Sequence, residues 1–340
     1  MRIVRKILWL FLIAALGAAG WLAWALLMPV APSGQVFVLL RPGYSTRHIA
    51  AELKAAGVIR SQRAFILWHY YHHGRTLKAG EYLFDKPANL IDIQKRLRRG
   101  DVYFHTVVVP EGFTMFDVAH AVEGAGLGSA DEFLKVARSE TSLVADIDPQ
   151  AHSLEGYLFP ETYQFSRMMS MQEMAAAMIR QFRQVAVQIG LTSSASPDAA
   201  TPGYSVHEVV TMASIVERET AVPEERPMVA SVYYNRLEKR MALDADPSII
   251  YAEQLAGTYQ GALHHADMQF TSAYNTYRHA GLPPGPIANP GRSALEAAMH
   301  PAHSDYYYFV ADAQGHHRFA QTMEEHNKNV AAYRKAMRGQ

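Results

Sequence analysis

The chain has 340 residues, 49% of them hydrophobic, with 32 basic and 32 acidic side chains and no cysteine. That is enough length for about two domains at ~100–200 residues each, and enough apolar material for a packed core. Disulfides, thiol catalysis and cysteine-ligated metals are excluded, and with zero formal net charge and no basic run beyond Lys95–Arg99 nothing favours nucleic acid as a partner.

Arg2, Arg5 and Lys6 precede an unbroken apolar run from Ile7 to Leu27, and no charge returns until Arg41. The run matches the ~20 residues a helix needs to cross a bilayer and exceeds the ~7–15 apolar residues of a signal peptide. A retained transmembrane helix over 7–28 is expected, with residues 1–6 cytoplasmic by the positive-inside rule and everything beyond on the far side. Trp9, Trp21 and Trp24 stand near the ends of the run, where interfacial indoles are common.

A short linker, Pro29 to Gly34, leads into an internal repeat. VFVLLRPGYSTRHIAAELKAAGVI (Val36 to Ile59) aligns with TVVVPEGFTMFDVAHAVEGAGL (Thr106 to Leu127), pairing Gly43 with Gly112, Ser45 with Thr114 and Gly57 with Gly126. Each copy reads as a β-branched strand, a glycine turn, a Ser or Thr helix cap and a short amphipathic helix ended by glycine, a small α+β module. Between the copies the pattern predicts a helix from Gln62 to His72, a strand in LKAGEYLF and a helix from Leu90 to Arg98.

From Ser129 the pattern turns mainly helical, with helices over Ala130 to Arg138 and Met171 to Gly190. Thr192 to Gly203 reads as a polar, mobile loop. Val206 to Thr220 and Pro227 to Arg240 read as further helices. ALDADPSIIYA (Ala242 to Ala252) and SAYNTYRHAGLPPGPIANPG (Ser272 to Gly291) read as rigid polar loops. A strand in Tyr306 to Asp312, read as an edge or core strand rather than a sugar platform, precedes a last helix from Thr322 to Met337.

The sharpest local signal is EVVTMASIVERET. At 3.6 residues per turn Thr211, Ser214 and Arg218 share a polar arc, whereas Glu217 falls in the apolar arc between Val210 and Ala213. Burial raises a carboxyl's proton affinity, and a carboxyl protonated near neutrality can act as a general acid. Glu219, near Met212 and Ile215, is equally anomalous, and either could be a helix-end carboxylate paired with arginine; spacing leaves the choice open. The Asn, Tyr and Pro residues of the two loops suggest a polar cleft. The paired histidines have no metal-site spacing, and His207-Glu208 fails the HExxH frame because Thr211 stands where the second histidine belongs, so no metal and no cofactor is expected.

ASIVERET, DPSIIYA, YNTYRHAGLPPGPIANPG, HPAHSDYYYFVAD and HNKNVAAYRK, with LEGYLFPETYQF upstream, together resemble the YceG-like family in order and spacing over nearly the whole chain. The resemblance implies an α+β protein: one transmembrane helix, a LysM-like region over 35–150 holding the repeat, and a mainly helical lytic-transglycosylase-type catalytic domain with small β elements over 151–340. It implies a single-pass inner-membrane enzyme with its catalytic domain in the periplasm, and a lyase that cuts peptidoglycan between N-acetylmuramic acid and N-acetylglucosamine endolytically, leaving 1,6-anhydro ends and ending strand elongation. Peptidoglycan synthases are implied as further partners. The first glutamate of the family motif falls on Glu217, which by resemblance would be the catalytic acid. Glu219, Asp246, Tyr274, Asn275, Tyr277 and Pro286 would contact substrate. The sequence departs from the family pattern at Asp244, where Gln is usual, and at Ser248, where Thr is common. The competing expectations are a tethered peptidoglycan-binding module or scaffold without catalysis, and a glycoside hydrolase.

Overall fold

A computed structural model describes residues 2–72, 74–191 and 203–338. The expected polar loop, but for Gly203, lies outside the described residues, as does His73 of the first histidine pair. The chain divides into two compact units, Met1–His105 with Gln164–Met169, and Thr106–Tyr163 with Ser170–Gln340. The division therefore falls at His105, and the two copies of the repeat go to different units.

The first unit opens with α1 (Arg2–Leu27), the one described helix long and apolar enough to span a membrane. Its large apolar side chains stay exposed along most of its length, which suits a lipid-facing surface and not a soluble core. Only its last turn packs inward, through Ala25 and Leu26. The expected linker is pinned: Arg60 Nη1 donates to the carbonyls of Met28 (2.7 Å) and Pro29 (2.9 Å), its guanidinium lies over Trp24 (5.1 Å), and Val30 bridges to Ala88.

β1 (Val36–Leu40) feeds α2 (Thr46–Ala55), capped by Ser45 accepting from the His48 N–H. α3 (Gln62–Tyr71), β2 (Gly80–Phe84) and α4 (Leu90–Arg99) follow, and β2 returns antiparallel to β1 with Val38 opposite Tyr82. Helices and hairpin close over Leu40, Leu53, Phe65, Tyr82, Phe84 and Leu97.

β3 (His105–Val108), which belongs to the second unit from Thr106 on, leads into α5 (Met115–Gly124), capped by Thr114 and Asp117 in a reciprocal box. Gly43 and Gly112, the matched turn glycines, adopt φ of 83° and 76°, the left-handed conformation that makes glycine the fitting residue at both turns. α6 (Ala130–Ser139) and α7 (Met171–Ile189) complete this half, and β4 (Thr162–Phe165), whose first two residues fall in this unit, pairs with β3.

α8 (Val206–Glu219) is the central helix, with α9 (Arg226–Glu238), α10 (Asp246–Ala256) and α11 (Arg292–Met299) packed on or beside it. Its middle, Val209–Glu217, is buried, including two members of the arc expected to be polar: Thr211 and Ser214 are fully buried, and Ser214 Oγ accepts from the Ile287 N–H (3.0 Å) of the Pro/Gly loop, while Arg218 of the same arc stays exposed. A hairpin of β5 (Tyr308–Ala311) and β6 (His317–Ala320) leads into α12 (Met323–Arg338). The segment expected as a rigid loop at Ala242 to Ala252 is corrected: from Asp246 it is α10, because Pro247 stands in the first turn, where its missing N–H costs nothing and its fixed φ suits a helix.

Candidate active site

All the groups described next belong to the second unit. The two glutamates at the end of α8 point to nearly opposite sides, since a two-residue step turns the helix by ~200°. Glu217 is buried and both its oxygens are engaged: Oε1 accepts from Arg226 Nη2 (2.7 Å) and Oε2 from the Gly291 N–H (2.9 Å). Burial pushes its carboxyl up against the opposing pull of the Gly291 N–H and the Arg226 charge. Arg226 is buried too, reaches Glu111 at 3.4 Å, and keeps its Nε without a partner among the described residues.

Glu219 faces the other way, onto a cleft of about 460 Å³. Its Oε2 accepts from the Tyr233 hydroxyl (3.0 Å). Burial raises the carboxyl to about 7, with the negative charge of Asp246 adding to the rise and Tyr233 and Arg236 opposing it. The cleft is walled by Asp244, Asp246 and Tyr277, by Arg236 and Leu243, by Tyr308 and Phe309 of β5, and by the facing side of α12.

The walls are fastened from behind. Arg236 donates to the carbonyls of Leu243 (2.9 Å) and Tyr307 (2.6 Å), contacts Asp244 (3.3 Å) and lies over the Tyr308 ring (5.3 Å). Tyr277 Oη donates to Asp246 Oδ1 (2.6 Å), and Asp246 sits in the first turn of α10, where the helix dipole favours an anion. Burial lifts the Tyr277 phenol above its usual range, and the bond to Asp246 adds to it. Asp244, which lines the cleft, adopts φ 50°, a left-handed conformation that Asp tolerates better than most residues. Ser248 is buried behind the wall, donating to Ala245 O (2.7 Å) and meeting Thr276 Oγ1 at 2.8 Å.

Of the residues singled out from the sequence, Glu219, Asp246 and Tyr277 are brought together in this cleft, while Glu217, Tyr274, Asn275 and Pro286 are not among its lining. Glu217 lies outside this cleft, buried as the helical wheel expected, with its carboxyl raised and held by Arg226 and the Gly291 N–H. Asn275 is fully buried, donating to Met268 O and Phe270 O and accepting from the Tyr277 N–H, so its amide builds the loop. Tyr274 packs edge-on to Tyr251 (5.1 Å). Pro286 lies buried against Gly156, where a Cβ would meet its ring at 2.5 Å. Tyr233, Arg236 and Tyr308 are cleft residues that sequence reasoning did not single out as such, along with the whole face of α12.

Asn289 is the loop's second anchor. Its Oδ1 accepts from the Gly156 and Leu158 N–H groups (2.9 Å each), and its Nδ2 donates to Phe113 O and Glu155 Oε1 (2.9 Å each). Glu155 is raised to about 8 by complete burial, opposed by the bonds it accepts. A third anchor is His207, whose Nδ1 meets Asp148 (2.6 Å) and whose Nε2 meets Pro284 O (2.9 Å). Acceptors on both ring nitrogens call for the imidazolium, and the hydrogen bond to Asp148 is the main reason its pKa is raised.

The family model described as the YceG-like family matches residues 38–332. A protein of Bacillus subtilis (strain 168) named endolytic murein transglycosylase is 34% identical over 326 residues, covering 91% of this chain and 88% of that one. A Streptococcus pneumoniae (serotype 2, strain D39) protein of the same name is 29% identical over 362 residues, covering 95% of this chain, which spans 64% of that longer protein. A crystal structure of a yceG-like protein from Listeria monocytogenes superposes with a TM-score of 0.55 at 32% identity, covering 86% of this chain and 98% of that one. The chain belongs to the YceG-like family.

Proposed function

We propose that this chain is a membrane-anchored endolytic murein transglycosylase, a lyase, and that Glu219 is its proton donor. The observation that carries the assignment is the position of Glu219: buried on one side, open to a cleft on the other, and raised to about 7. Its acid form therefore persists to higher pH than that of an ordinary glutamate. Tyr233 occupies Oε2, which leaves Oε1 to carry the transferable hydrogen.

In this reading a glycan strand lies along the cleft and Glu219 protonates the oxygen between N-acetylmuramic acid and N-acetylglucosamine. Positive charge develops at the muramic anomeric carbon, close to the Asp244 and Asp246 carboxylates. The Glu219 carboxylate then takes the proton of the same sugar's 6-hydroxyl as that oxygen closes on the anomeric carbon, giving a 1,6-anhydro end. Attack from within one sugar supplies its own proximity and needs no positioned water, so one acid–base group suffices. Cutting growing strands in this way would end their elongation. The relatives' names support murein as the substrate. The apolar 26-residue α1 supports a single-pass anchor, with the basic residues before the apolar run cytoplasmic and the rest of the chain outside the inner membrane. The LysM-like reading of residues 35–150 would add a glycan-binding region, and synthases of the same strands would be its natural neighbours.

A hydrolytic outcome is the second reading, because Asp246 puts another carboxylate in the cleft and ordinary glycosidases use two. Mass analysis of the products decides. The full chain, in detergent, is incubated with glycan strands. Anhydro ends support the transglycosylase; ends heavier by one water overturn it in favour of hydrolysis. Anhydro ends formed equally by Glu219→Gln would overturn the assignment of the acid.

A further inference from the structure

The side of α12 that faces the cleft carries Met323, His326, Asn327, Val330 and Arg334. Their spacing, 3-1-3-4, is that of one helical stripe. A stripe turned toward a core would be apolar, and this one is polar or charged at three of five positions. His326 adds an unmet requirement: its Nδ1 is buried and without a hydrogen-bond partner among the described residues. Burial, with the nearby Arg236 charge, lowers its pKa, so the ring is neutral at physiological pH.

The cleft does not stop at Arg334. It continues along the same helix as a groove of about 580 Å³ lined by Asn327, Val330, Ala331, Arg334 and Lys335. Neither Arg334 nor Lys335 has an ion-pair partner among the described residues, whereas Lys328, about two turns earlier, is paired with Glu324 at 2.8 Å. The channel is thus polarised. Its acid end holds Glu219, Asp244 and Asp246, suited to an uncharged sugar bond and a developing cation. Its far end presents two uncommitted cations, suited to an anionic substituent held away from the sugar rings. Arg334 is eight residues from His326, roughly 12 Å at ~1.5 Å per residue, so the cationic end would meet a substituent and not the reacting sugar.

We propose that Arg334 and Lys335, with Asn327, form a subsite for carboxylate groups carried on the glycan, namely the acid-bearing peptide stems attached to muramic acid, so that the protein favours stem-bearing strands over denuded ones. The proposal rests on the transglycosylase reading of the cleft. Arg334 provides the planar donor fork that matches a carboxylate, and Lys335 adds a point charge beside it.

The test compares the full chain with its Arg334→Gln/Lys335→Gln variant on two substrates: glycan strands with intact stems, whose carboxylates extend well away from the sugar, and the same strands after an amidase has left only the lactyl carboxylate beside each muramic ring. The expected result is that the parent forms anhydro ends faster on stem-bearing strands, and that the double variant loses roughly five- to tenfold more rate on these than on denuded strands, a gap that narrows as salt is added. Equal losses on both substrates, or none on either, would overturn the subsite. Binding of the two strand types to Glu219→Gln, with and without the two further substitutions, reads the subsite without turnover. If no anhydro ends form anywhere yet the stem preference in binding persists and needs Arg334 and Lys335, the reaction assigned to the cleft fails while the subsite stands; a binding preference untouched by the substitutions sinks the subsite alone.

Discussion

Replacing Glu219 and Glu217 separately by Gln tests which of the two carries the transferable proton and which serves as an ion pair. Glu219→Gln keeps the shape and the Tyr233 contact but removes the transferable proton. General acid–base groups contribute about 10²- to 10⁴-fold, so turnover should fall by at least ~100-fold while the melting temperature stays near the parent's. Glu217→Gln should behave in the opposite sense. Its side chain is 4% exposed and that of Arg226 6%, so the substitution strands a buried guanidinium whose other acid, Glu111, is half-exposed at 3.4 Å. Breaking a buried pair costs ~3–5 kcal/mol. Because Gln can still accept from the Gly291 N–H, the lower end, about 3 kcal/mol, applies. At ~2–4 °C per kcal/mol for a unit of this size, the melting temperature should drop by roughly 6–12 °C. The assays are anhydro-end formation at a temperature where both variants are folded, and calorimetry. The parent's pH profile completes the set: the Glu219 carboxyl is raised to about 7, its acid form is present below that value and falls about tenfold per unit above it, so kcat should decline on the alkaline side of ~7. Full activity in Glu219→Gln, with loss in a Glu217→Gln protein that melts like the parent, would refute the reasoning and return the role to Glu217.

Tyr233→Phe removes a hydrogen bond that holds Glu219 down, so the alkaline limb should move to higher pH by about half to one unit, measured as kcat against pH. His207→Gln removes the bolt between Asp148 and Pro284. Because the folded pKa of His207 is raised, its stabilisation is fully present below the unfolded value near 6.5 and is lost as pH rises through the folded one. The stability deficit of the variant, roughly 1.5–3 kcal/mol in acid and read by thermal unfolding, should therefore shrink toward alkaline pH. Gly156→Ala places a Cβ 2.5 Å from Pro286 and 2.9 Å from Val210 at φ 90°, and should cost about 1–3 kcal/mol in thermal unfolding.

What could be read from the sequence was what local chemistry decides. The membrane-length run, the capped helices and turn glycines of the repeat, and the burial of the apolar arc of α8 all follow from residues within a turn or two of one another. α10 was missed because Pro247 was weighed as a loop stiffener and not as a first-turn residue. α11 and β6 are short, and their packing partners lie far away in the chain. Asn289 looked like part of a turn, yet its four hydrogen bonds reach back 131 to 176 residues, and no periodicity carries such information. The wheel found both anomalous glutamates of α8 but had no means of knowing which side the β5–β6 hairpin and α12 would leave open. The α12 stripe was visible in HNKNVAAYRK as polar residues at helical spacing, although nothing local marked it as a cleft wall.

The clamp of Arg60 on the carbonyls just beyond α1 has a mechanical corollary. At ~1.5 Å per residue the 26-residue helix is about 39 Å long, longer than a ~30 Å hydrocarbon layer, and such an excess is usually absorbed by tilting. With the last turn bolted to its own folded unit, α1 in a bilayer has no swivel at the surface: any lean of the helix is a lean of that unit as well. Lipid thickness would thereby act as a setting on the direction in which the first unit faces.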